Sequence, residues 1–282
     1  MSTLAAASRG AGRPSGRTLT TALALFVLLS YLVPLAFVSL AAFKSNAQIA
    51  NDPAALIFHP SLAGFRAVLN RDLVQALWNS AQIAVGATAV TMIVGTPLAY
   101  VLARTHSRWN ALVIGVLIAL QMTPTATAVI PLFRVLVALH LLNHLGGVAL
   151  AIAATTLPYA VLLLRPYFLS VPVEVEEAAR IDGAGEFTCF LRVVLPLVRN
   201  GLSLIAVLLL IGSWGEFLYS VSFLTSSSKY PLSVLLVEQE GFYGTQYNNL
   251  MALALISSVP VVILFTVVAR RLTSGLTLGV GK

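Results

Sequence analysis

Six long apolar runs constrain the fold more than any other feature of this sequence. A membrane helix needs about 20 mostly apolar residues to cross the hydrocarbon core, and every run reaches that length. The runs cover residues 19–43, 73–103, 109–139, 146–169, 201–224 and 250–269. They are continuous rather than alternating, which favours helices over the strands of a barrel. The sequence therefore predicts an all-α integral membrane protein with six transmembrane helices.

Charge and cysteine content exclude several other classes of protein. Charged residues make up only 10% of the 282 residues, against roughly 25% in a soluble domain, so a soluble enzyme and a disordered chain are both excluded. The formal net charge is +7, but the basic residues form no continuous stripe, which argues against a nucleic-acid partner. The single cysteine, Cys189, cannot form an internal disulfide. We expect no metal site and no cofactor.

The distribution of Lys and Arg predicts the orientation in the membrane. With both termini inside, twelve of the 17 basic residues lie in cytoplasmic segments, four lie outside, and Arg134 lies within a run. Cytoplasmic loops collect Lys and Arg, so the prediction is N-in and C-in. The predicted division is a cytoplasmic tail 1–18, a transmembrane domain 19–271 and a cytoplasmic tail 272–282. The first run exceeds a signal-peptide core in length and is predicted to be a retained anchor.

The second and third runs are longer than one membrane crossing requires. Each has about 31 residues, nearly 47 Å at 1.5 Å per residue. They must tilt, kink or extend beyond the bilayer. Pro97, Pro124 and Pro131 are the predicted kink points.

One cytoplasmic segment, residues 172–200, holds five of the ten acidic residues of the chain. Pro172 can start a helix whose first turn is acidic, and Asp182-Gly183 predicts a turn. The expected shape is a helix over 173–181, a turn, and a second short helix over about 185–195 at the membrane surface. Ala178 and Ala179 leave a shallow spot for another protein's backbone. Docking to a partner and an ordinary interfacial amphipathic helix are both compatible with this pattern.

A spaced motif in this segment resembles the EAA loop of ABC-importer permeases. Glu177-Ala178-Ala179 is followed after three residues by Gly183, after nine by Val193, and then by Leu195-Pro196. The family pattern is EAA-x3-G-x9-I-x-L-P, and Val193 for Ile is the one departure. The resemblance implies that loop 172–199 docks in a cleft of an ATPase subunit. The implied coupling residues are Glu177, Ala178, Ala179, Asp182, Gly183, Leu195 and Pro196.

Further motifs resemble the carbohydrate, maltose-type branch of that family. They are Trp78-Asn79-Ser80, Pro97-Leu98-Ala99-Tyr100, Ala103-Arg104, Met122-Thr123-Pro124, Ile130-Pro131-Leu132, Trp214-Gly215-Glu216-Phe217 and Gly275-Leu276-Thr277-Leu278-Gly279. Gly215 stands where Asn is common, and the ending Val280-Gly281-Lys282 departs from the usual one. The resemblance implies one half of the channel of a sugar importer in the cell membrane. Its implied partners are a second, different permease chain, two ATP-binding cassette subunits and an extracytoplasmic sugar-binding protein.

Three alternative functions remain open at this point. The sequence has no G-x4-G-K-[ST] phosphate loop, so we expect no enzyme activity here and ATP hydrolysis by a separate subunit. A permease of the same superfamily for another solute is the nearest alternative. An ion-coupled secondary transporter would usually show internal repeats, and we find none. A membrane-embedded enzyme would need clusters of catalytic polar residues within the runs.

Two charged residues, Arg134 and Glu216, fall within apolar runs at similar predicted depth. A lone charge at mid-bilayer costs roughly 3 kcal/mol, so they could pair with each other, line the substrate passage or reach the outer interface. The other predicted passage residues are Asn79, Gln82, Gln121, Trp214 and Tyr219. Aromatic rings and amides suit sugars, although the same residues also anchor membrane interfaces and join helices.

Overall fold

The computed structural model describes residues 16–105, 107–241 and 244–276, and this part of the chain is almost entirely helical. The helices are α1 (Gly16–Ala41), α2 (Asn46–Asn51), α3 (Ala63–Val68), α4 (Arg71–Arg104), α5 (Arg108–Gln121), α6 (Val129–Ala138), α7 (Leu145–Leu169), α8 (Val173–Ile181), α9 (Glu186–Cys189), α10 (Leu195–Leu197), α11 (Arg199–Trp214), α12 (Leu218–Phe223), α13 (Leu232–Glu238) and α14 (Tyr247–Leu276). Before α14, β1 (Glu240–Gly241) pairs antiparallel with β2 (Gly244–Thr245).

Five helices in the described ranges are long and apolar enough to cross a membrane, and a bent pair adds a sixth if it counts as one span. The five are Leu19–Ala41, Arg71–Arg104, Leu145–Leu169, Glu186–Trp214 and Tyr247–Thr266. This confirms the predicted all-α membrane class. Most of the two predicted tails, together with Thr277-Leu278-Gly279 and Val280-Gly281-Lys282, lies outside the described residues.

The third predicted span is not one continuous helix. Its two halves, Arg108–Gln121 and Thr125–Ala138, meet at an angle of 100°. Pro124 lies at this break, as predicted, and its ψ of 134° ends the helical path. Pro131 does not kink the chain, because it lies in the first turn of α6, where a missing amide hydrogen is tolerated. Pro97 is accommodated inside α4.

The fifth predicted span, 201–224, was wrong at both ends. The apolar helix runs from Glu186 to Trp214, so the predicted separate surface helix at 185–195 is its first part. A π-helical turn at Phe190–Val194 precedes Pro196, and the proline is accommodated there without ending the helix. At the other end, Gly215–Phe217 interrupts the helix before α12, although the apolar run continues to residue 224.

The centre of the fold is the pair of helices α4 and α7. Ala84 and Ala87 on α4 and Ala149 and Ala153 on α7 are all buried. Small residues at a helix interface let the two backbones approach closely. The hydroxyls of Thr91 and Thr156 lie 3.2 Å apart across this interface. The α4–α7 pair thus gives the rest of the bundle a close-packed core.

Residues 44–72, between the first two apolar runs, are folded against the start of α14. Lys44 is buried, and its Nζ donates to the backbone oxygen of Pro53 over 2.8 Å. Gly64 on α3 packs so closely on α14 that a Cβ there would lie 2.5 Å from the backbone oxygen of Asn248. The segment is therefore an ordered platform rather than a loose loop.

Candidate functional site

Helix α8 is the core of the predicted docking loop, and its sequence explains its start. Pro172 occupies the position before the first residue, and Glu174 and Glu176 lie in the first turn. Proline is favoured at a helix start, and acidic side chains there interact well with the positive end of the helix dipole. The predicted helix over 173–181 is confirmed.

Gly183 ends α8 through a Schellman motif. The amide of Gly183 donates to the carbonyl of Arg180 over 3.0 Å, and the amide of Ala184 donates to Ala179 over 2.9 Å. This pattern requires a left-handed residue after the helix, and Gly183 has a φ of +88°. A side chain at Gly183 would meet open space, so backbone conformation, rather than packing, explains the glycine.

The tip of this helix forms an exposed surface, here called the docking knob, made of residues 177, 178 and 181–183. Glu177, Ala178, Asp182 and Gly183 are all exposed. Ile181 is 86% exposed, and Phe187 on the neighbouring α9 is 73% exposed. Large apolar side chains beside small residues and an acidic rim are typical of a surface that another protein covers. Ala179 instead packs against the core.

Glu176 is the one residue of α8 that is fully buried. Its Oε1 accepts a hydrogen bond from Nε of Arg104 over 2.6 Å, and its Oε2 accepts one from the Tyr100 hydroxyl over 2.8 Å. Arg104 also donates to the backbone oxygen of Val171 over 3.0 Å. Buried charges must be paired and hydrogen-bonded. Glu176 therefore fixes α8 to the end of α4.

Apolar side chains surround this buried ion pair. The ring of Tyr100 lies 5.6 Å from that of Phe168 and 4.9 Å from that of Phe190, centroid to centroid. Phe168 and Cys189 are fully buried in the same cluster. These rings come from α4, α7 and the segment after α9. The cluster therefore connects the part of α8 around Glu176 to three parts of the fold.

Arg180 connects the buried acid to the next helix. Its Nη2 lies 3.7 Å from Oε2 of Glu176, and its Nε and Nη2 donate to Glu186 over 2.8 and 3.1 Å. Hydrogen bonding to Glu186 raises the pKa of the Arg180 guanidinium above its ordinary value. The two remaining predicted coupling residues lie on α10, where Leu195 is half-buried and Pro196 is exposed.

A second polar region lies where two interrupted helices meet. The hydroxyl of Tyr219, on α12, donates to the backbone oxygen of Thr125 over 3.2 Å, which joins the α11–α12 break to the α5–α6 break. α5 has 14 residues and α11 has 16, about 21 and 24 Å of helix at 1.5 Å per residue. Non-helical backbone at membrane depth is tolerated where it is covered by protein or lines a water-filled cavity.

A cavity of about 180 Å³ opens at the α5–α6 break. It is lined by Leu120, Gln121, Thr123, Pro124, Thr125, Ala128, Ala154, Thr155 and Pro158. The amide of Gln121 donates to the backbone oxygen of Thr155 over 3.4 Å. Three threonine hydroxyls and one amide in an otherwise apolar lining can hydrogen-bond a polar solute of modest size.

Glu216 and Arg134 do not form the ion pair considered above. The carboxylate of Glu216 accepts hydrogen bonds from the amides of Tyr219 (2.6 Å) and Ser220 (3.1 Å), and so acts as the cap of α12. Arg134 is exposed on α6, and among the described residues no ion pair includes it. The negative charge is stabilised locally because the helix break supplies free amides.

The other predicted passage residues are dispersed. The buried amide of Asn79 donates to the backbone oxygens of Ser228 and Tyr230, and the indole of Trp214 donates to Ser257 over 3.3 Å. Gln82 is exposed on α4. Of the predicted set, only Gln121 lines the cavity at the α5–α6 break, and Tyr219 joins the two breaks.

With the geometry established, comparison with known proteins places the chain in a family. Residues 95–277 match the family described as "Binding-protein-dependent transport system inner membrane component". The chain belongs to this family. It is a multi-pass inner-membrane protein and a permease subunit of an ABC importer, which confirms the resemblance predicted from the EAA motif.

Two relatives match this permease over nearly their whole length. The sulfoquinovosyl glycerol transport system permease protein of Agrobacterium fabrum is 31% identical over 281 residues, 99% of each chain. The diacetylchitobiose uptake system permease protein of Streptomyces coelicolor is 31% identical over 277 residues, 96% of this chain and 92% of the relative. A crystal structure of a bacterial ABC transporter that imports the acidic polysaccharide alginate contains a chain with the same fold, at a TM-score of 0.75 and 22% identity. That match covers 90% of this permease and 95% of the alginate chain.

Sequence reasoning missed two groups of residues. Glu176 was counted only among the acids of a helix start, although Tyr100 and Arg104 had been noted separately within the family resemblance. Thr123 enters the sequence analysis only within the motif Met122-Thr123-Pro124, and Thr125 does not enter it, so neither is predicted to line a cavity. The signal that could have found them was Pro124, which predicted the break that exposes their hydroxyls.

Proposed function

We propose that this permease imports a carbohydrate, driven by an ATPase that grips the docking knob. Sulfoquinovosyl glycerol and diacetylchitobiose, for which the two full-length relatives are named, are both glycosides. The observation that carries the proposal is the exposed, glycine-terminated knob fixed to a membrane-spanning helix, in a chain of this family. Such a knob can transmit movement between a soluble motor and the membrane bundle.

The coupling role falls to the predicted EAA residues. Ala178 lets a partner's backbone approach, Glu177 and Asp182 supply polar contacts at the rim, and Gly183 permits the turn that presents them. Ala179 packs beneath the tip, while Leu195 and Pro196 belong to the start of the helix leading to Trp214. ATP hydrolysis takes place in the separate cassette subunits, since this chain contains no phosphate loop.

The passage for the solute is proposed to lie along the two helix breaks. Gln121 and the three threonines offer acceptor oxygens there, because the Gln121 amide nitrogen and the hydroxyls of Thr123 and Thr155 already donate to backbone oxygens. A polyhydroxylated solute needs such acceptors in place of water. Four other predicted residues form hydrogen bonds with this chain's own backbone, so they shape the passage. They are Tyr219, Glu216, Trp214 and Asn79. Gln82 and Arg134 are exposed and are proposed to face water or the second permease chain, because lipid disfavours them.

The proposed assembly has four kinds of chain. This permease contributes six spans, counting the bent pair as one, with N-in and C-in orientation and a transmembrane domain over 19–271. A second, different permease chain completes the channel, two cassette ATPases bind the cytoplasmic side, and an extracytoplasmic sugar-binding protein delivers the solute. Tails 1–18 and 272–282 are proposed to be cytoplasmic.

The test measures uptake into liposomes that contain the purified complex. The binding protein is added on the side of the membrane from which the solute is taken up. Sulfoquinovosyl glycerol, diacetylchitobiose and maltose serve as probes. ATP-dependent accumulation of at least one of them, abolished by a non-hydrolysable ATP analogue, is the expected result. Accumulation driven by an ion gradient without ATP would contradict the proposal and indicate a secondary transporter. ATP-dependent uptake of an amino acid but of no saccharide would contradict the carbohydrate assignment.

A further inference from the structure

Four alternating charges run from the membrane-spanning helix α4 through α8 to α9. Arg104 on α4 bonds Glu176 on α8 over 2.6 Å, Arg180 on α8 lies 3.7 Å from Glu176, and Arg180 bonds Glu186 on α9 over 2.8 Å. The first link joins α8 to the span Arg71–Arg104, and the last joins it to the helix that continues to Trp214.

The two end links differ in burial. The side chains of Arg104 and Glu176 are 14% and 1% exposed, whereas those of Arg180 and Glu186 are 40% and 73% exposed. Exposed ion pairs are screened by water and salt and restrain geometry weakly. A buried pair has no water to replace a lost partner, so its geometry is enforced. Tyr100 reinforces only the buried link, through its bond to Oε2 of Glu176.

We propose that Glu176 is the positioning residue that transmits movement of the docking knob to α4, acting through Arg104 and Tyr100. This inference rests on the proposed function, because it assumes that the ATPase moves the knob. The Arg180–Glu186 link, which joins α8 to α9 rather than to α4, is dispensable for this transmission. Glu176 does not touch the ATPase, since it is fully buried beneath α8, whereas Glu177 is exposed.

The helix geometry supports this division of roles. Glu176 and Glu177 are adjacent in sequence, so they point about 100° apart around α8, one inward and one outward. Arg104 is the last residue of a 34-residue helix, so a displacement at its end acts along the whole span. The aromatic cluster of Tyr100, Phe168 and Phe190 closes the site and prevents water from loosening the pair.

The test compares Glu176→Gln with Glu186→Gln in the purified complex with its binding protein, measuring saccharide uptake per ATP hydrolysed. The probe is whichever of sulfoquinovosyl glycerol, diacetylchitobiose and maltose the unmodified complex imports. Both variants remove one negative charge that pairs with an arginine. We expect Glu176→Gln to retain its ATPase subunits and hydrolyse ATP while uptake per ATP falls by about fivefold or more. Glu186→Gln should stay within about 1.5-fold of the unmodified complex.

Two results would overturn the inference. One is an unchanged ratio in Glu176→Gln; the other is loss of the ATPase subunits from that variant, which would make Glu176 part of docking itself. If the Glu176→Gln permease does not fold and cannot be purified, Tyr100→Phe decides, because it removes one hydrogen bond and keeps the ion pair. It should assemble fully and lower uptake per ATP by about twofold, and an unchanged ratio would overturn the inference. Failure of the proposed docking would appear separately, as normal uptake and ATPase retention in Gly183→Val.

Discussion

Nε of Arg104 lies 2.6 Å from Oε1 of Glu176, although the two residues are 72 positions apart in the sequence. The bond joins the C-terminal end of a membrane-spanning helix to the base of the docking knob. Burial makes it sensitive to loss of one partner, because the remaining charge has no water to solvate it. This sensitivity distinguishes it from the exposed charges around it.

Removing one member of this pair should therefore destabilise the protein more than removing both. We expect Arg104→Met to lower the free energy of unfolding by about 3–5 kcal/mol, and adding Glu176→Leu to recover a large part of that loss. Detergent-denaturation curves of the purified complex measure both. Arg108→Met is the control, since Arg108 is exposed and should change stability by less than about 0.5 kcal/mol. A double variant less stable than Arg104→Met would contradict the account.

The conformation of Gly183 gives a second prediction. A side chain in the left-handed region costs about 1–2 kcal/mol, so Gly183→Ala should destabilise the loop by that amount although its Cβ meets open space. Gly185 also faces open space but has an ordinary φ of −70°, so Gly185→Ala should be close to neutral. Co-purification of the ATPase subunits reports the consequence for docking: reduced for Gly183→Ala and unchanged for Gly185→Ala. Equal retention in both variants would argue against a role for the Schellman turn.

Two glycines on α11 provide a matched packing test. A Cβ at Gly201 would overlap the ring of Tyr167, whereas one at Gly212 would meet nothing within 4 Å. Gly201→Ala should lower the melting temperature of the complex, because the ring and the helix must move apart. Gly212→Ala should leave it unchanged or raise it, since alanine is favoured over glycine in a helix by up to about 1 kcal/mol. The reverse order would show that α11 does not pack on α7 as described.

The sequence was sufficient to predict helix α8 and the turn that ends it, because their determinants are local. Pro172, the acidic first turn and Gly183 fix the start, the body and the end of α8 within a dozen residues. The apolar runs likewise predicted the membrane helices. Their ends were less predictable: Gly215–Phe217 interrupts the helix where hydropathy does not change, and the π-helical turn before Pro196 lets the helix start at Glu186 rather than 201.

Long-range contacts could not be read from local patterns. Asn79 looked like a passage residue, but its amide is used on backbone oxygens about 150 residues later in the chain. The sequence places Glu216 and Arg134 at similar depth, which allows an ion pair. In the structure, the carboxylate of Glu216 instead accepts a hydrogen bond from a free amide at the adjacent helix break. Which hydrogen-bond partner a polar side chain finds depends on where each helix ends, and the composition of the sequence does not specify the helix ends.

The separation of Arg134 and Glu216 can be tested with a double-mutant cycle. Glu216→Gln should destabilise the complex by about 1–2 kcal/mol, because it removes the charge and replaces one of the two acceptor oxygens at the start of α12 with an NH2 donor, and Arg134→Gln by less than about 0.5 kcal/mol. The combined variant should equal the sum within about 0.5 kcal/mol, because residues that share no partner behave independently. A coupling energy well above that value, from denaturation of the four proteins, would indicate a direct pair.

Site-specific crosslinking at Ala178 tests the central claim most directly. Cys189 is the only cysteine in the sequence, so Cys189→Ser gives a thiol-free background in which Ala178→Cys can carry a photoreactive maleimide. In the assembled, ATP-hydrolysing complex, we predict a crosslink to a cassette ATPase subunit, whereas the same probe on Val85→Cys, exposed in the middle of α4, gives none. A crosslink from position 178 only to lipid or to the extracytoplasmic binding protein would contradict the account.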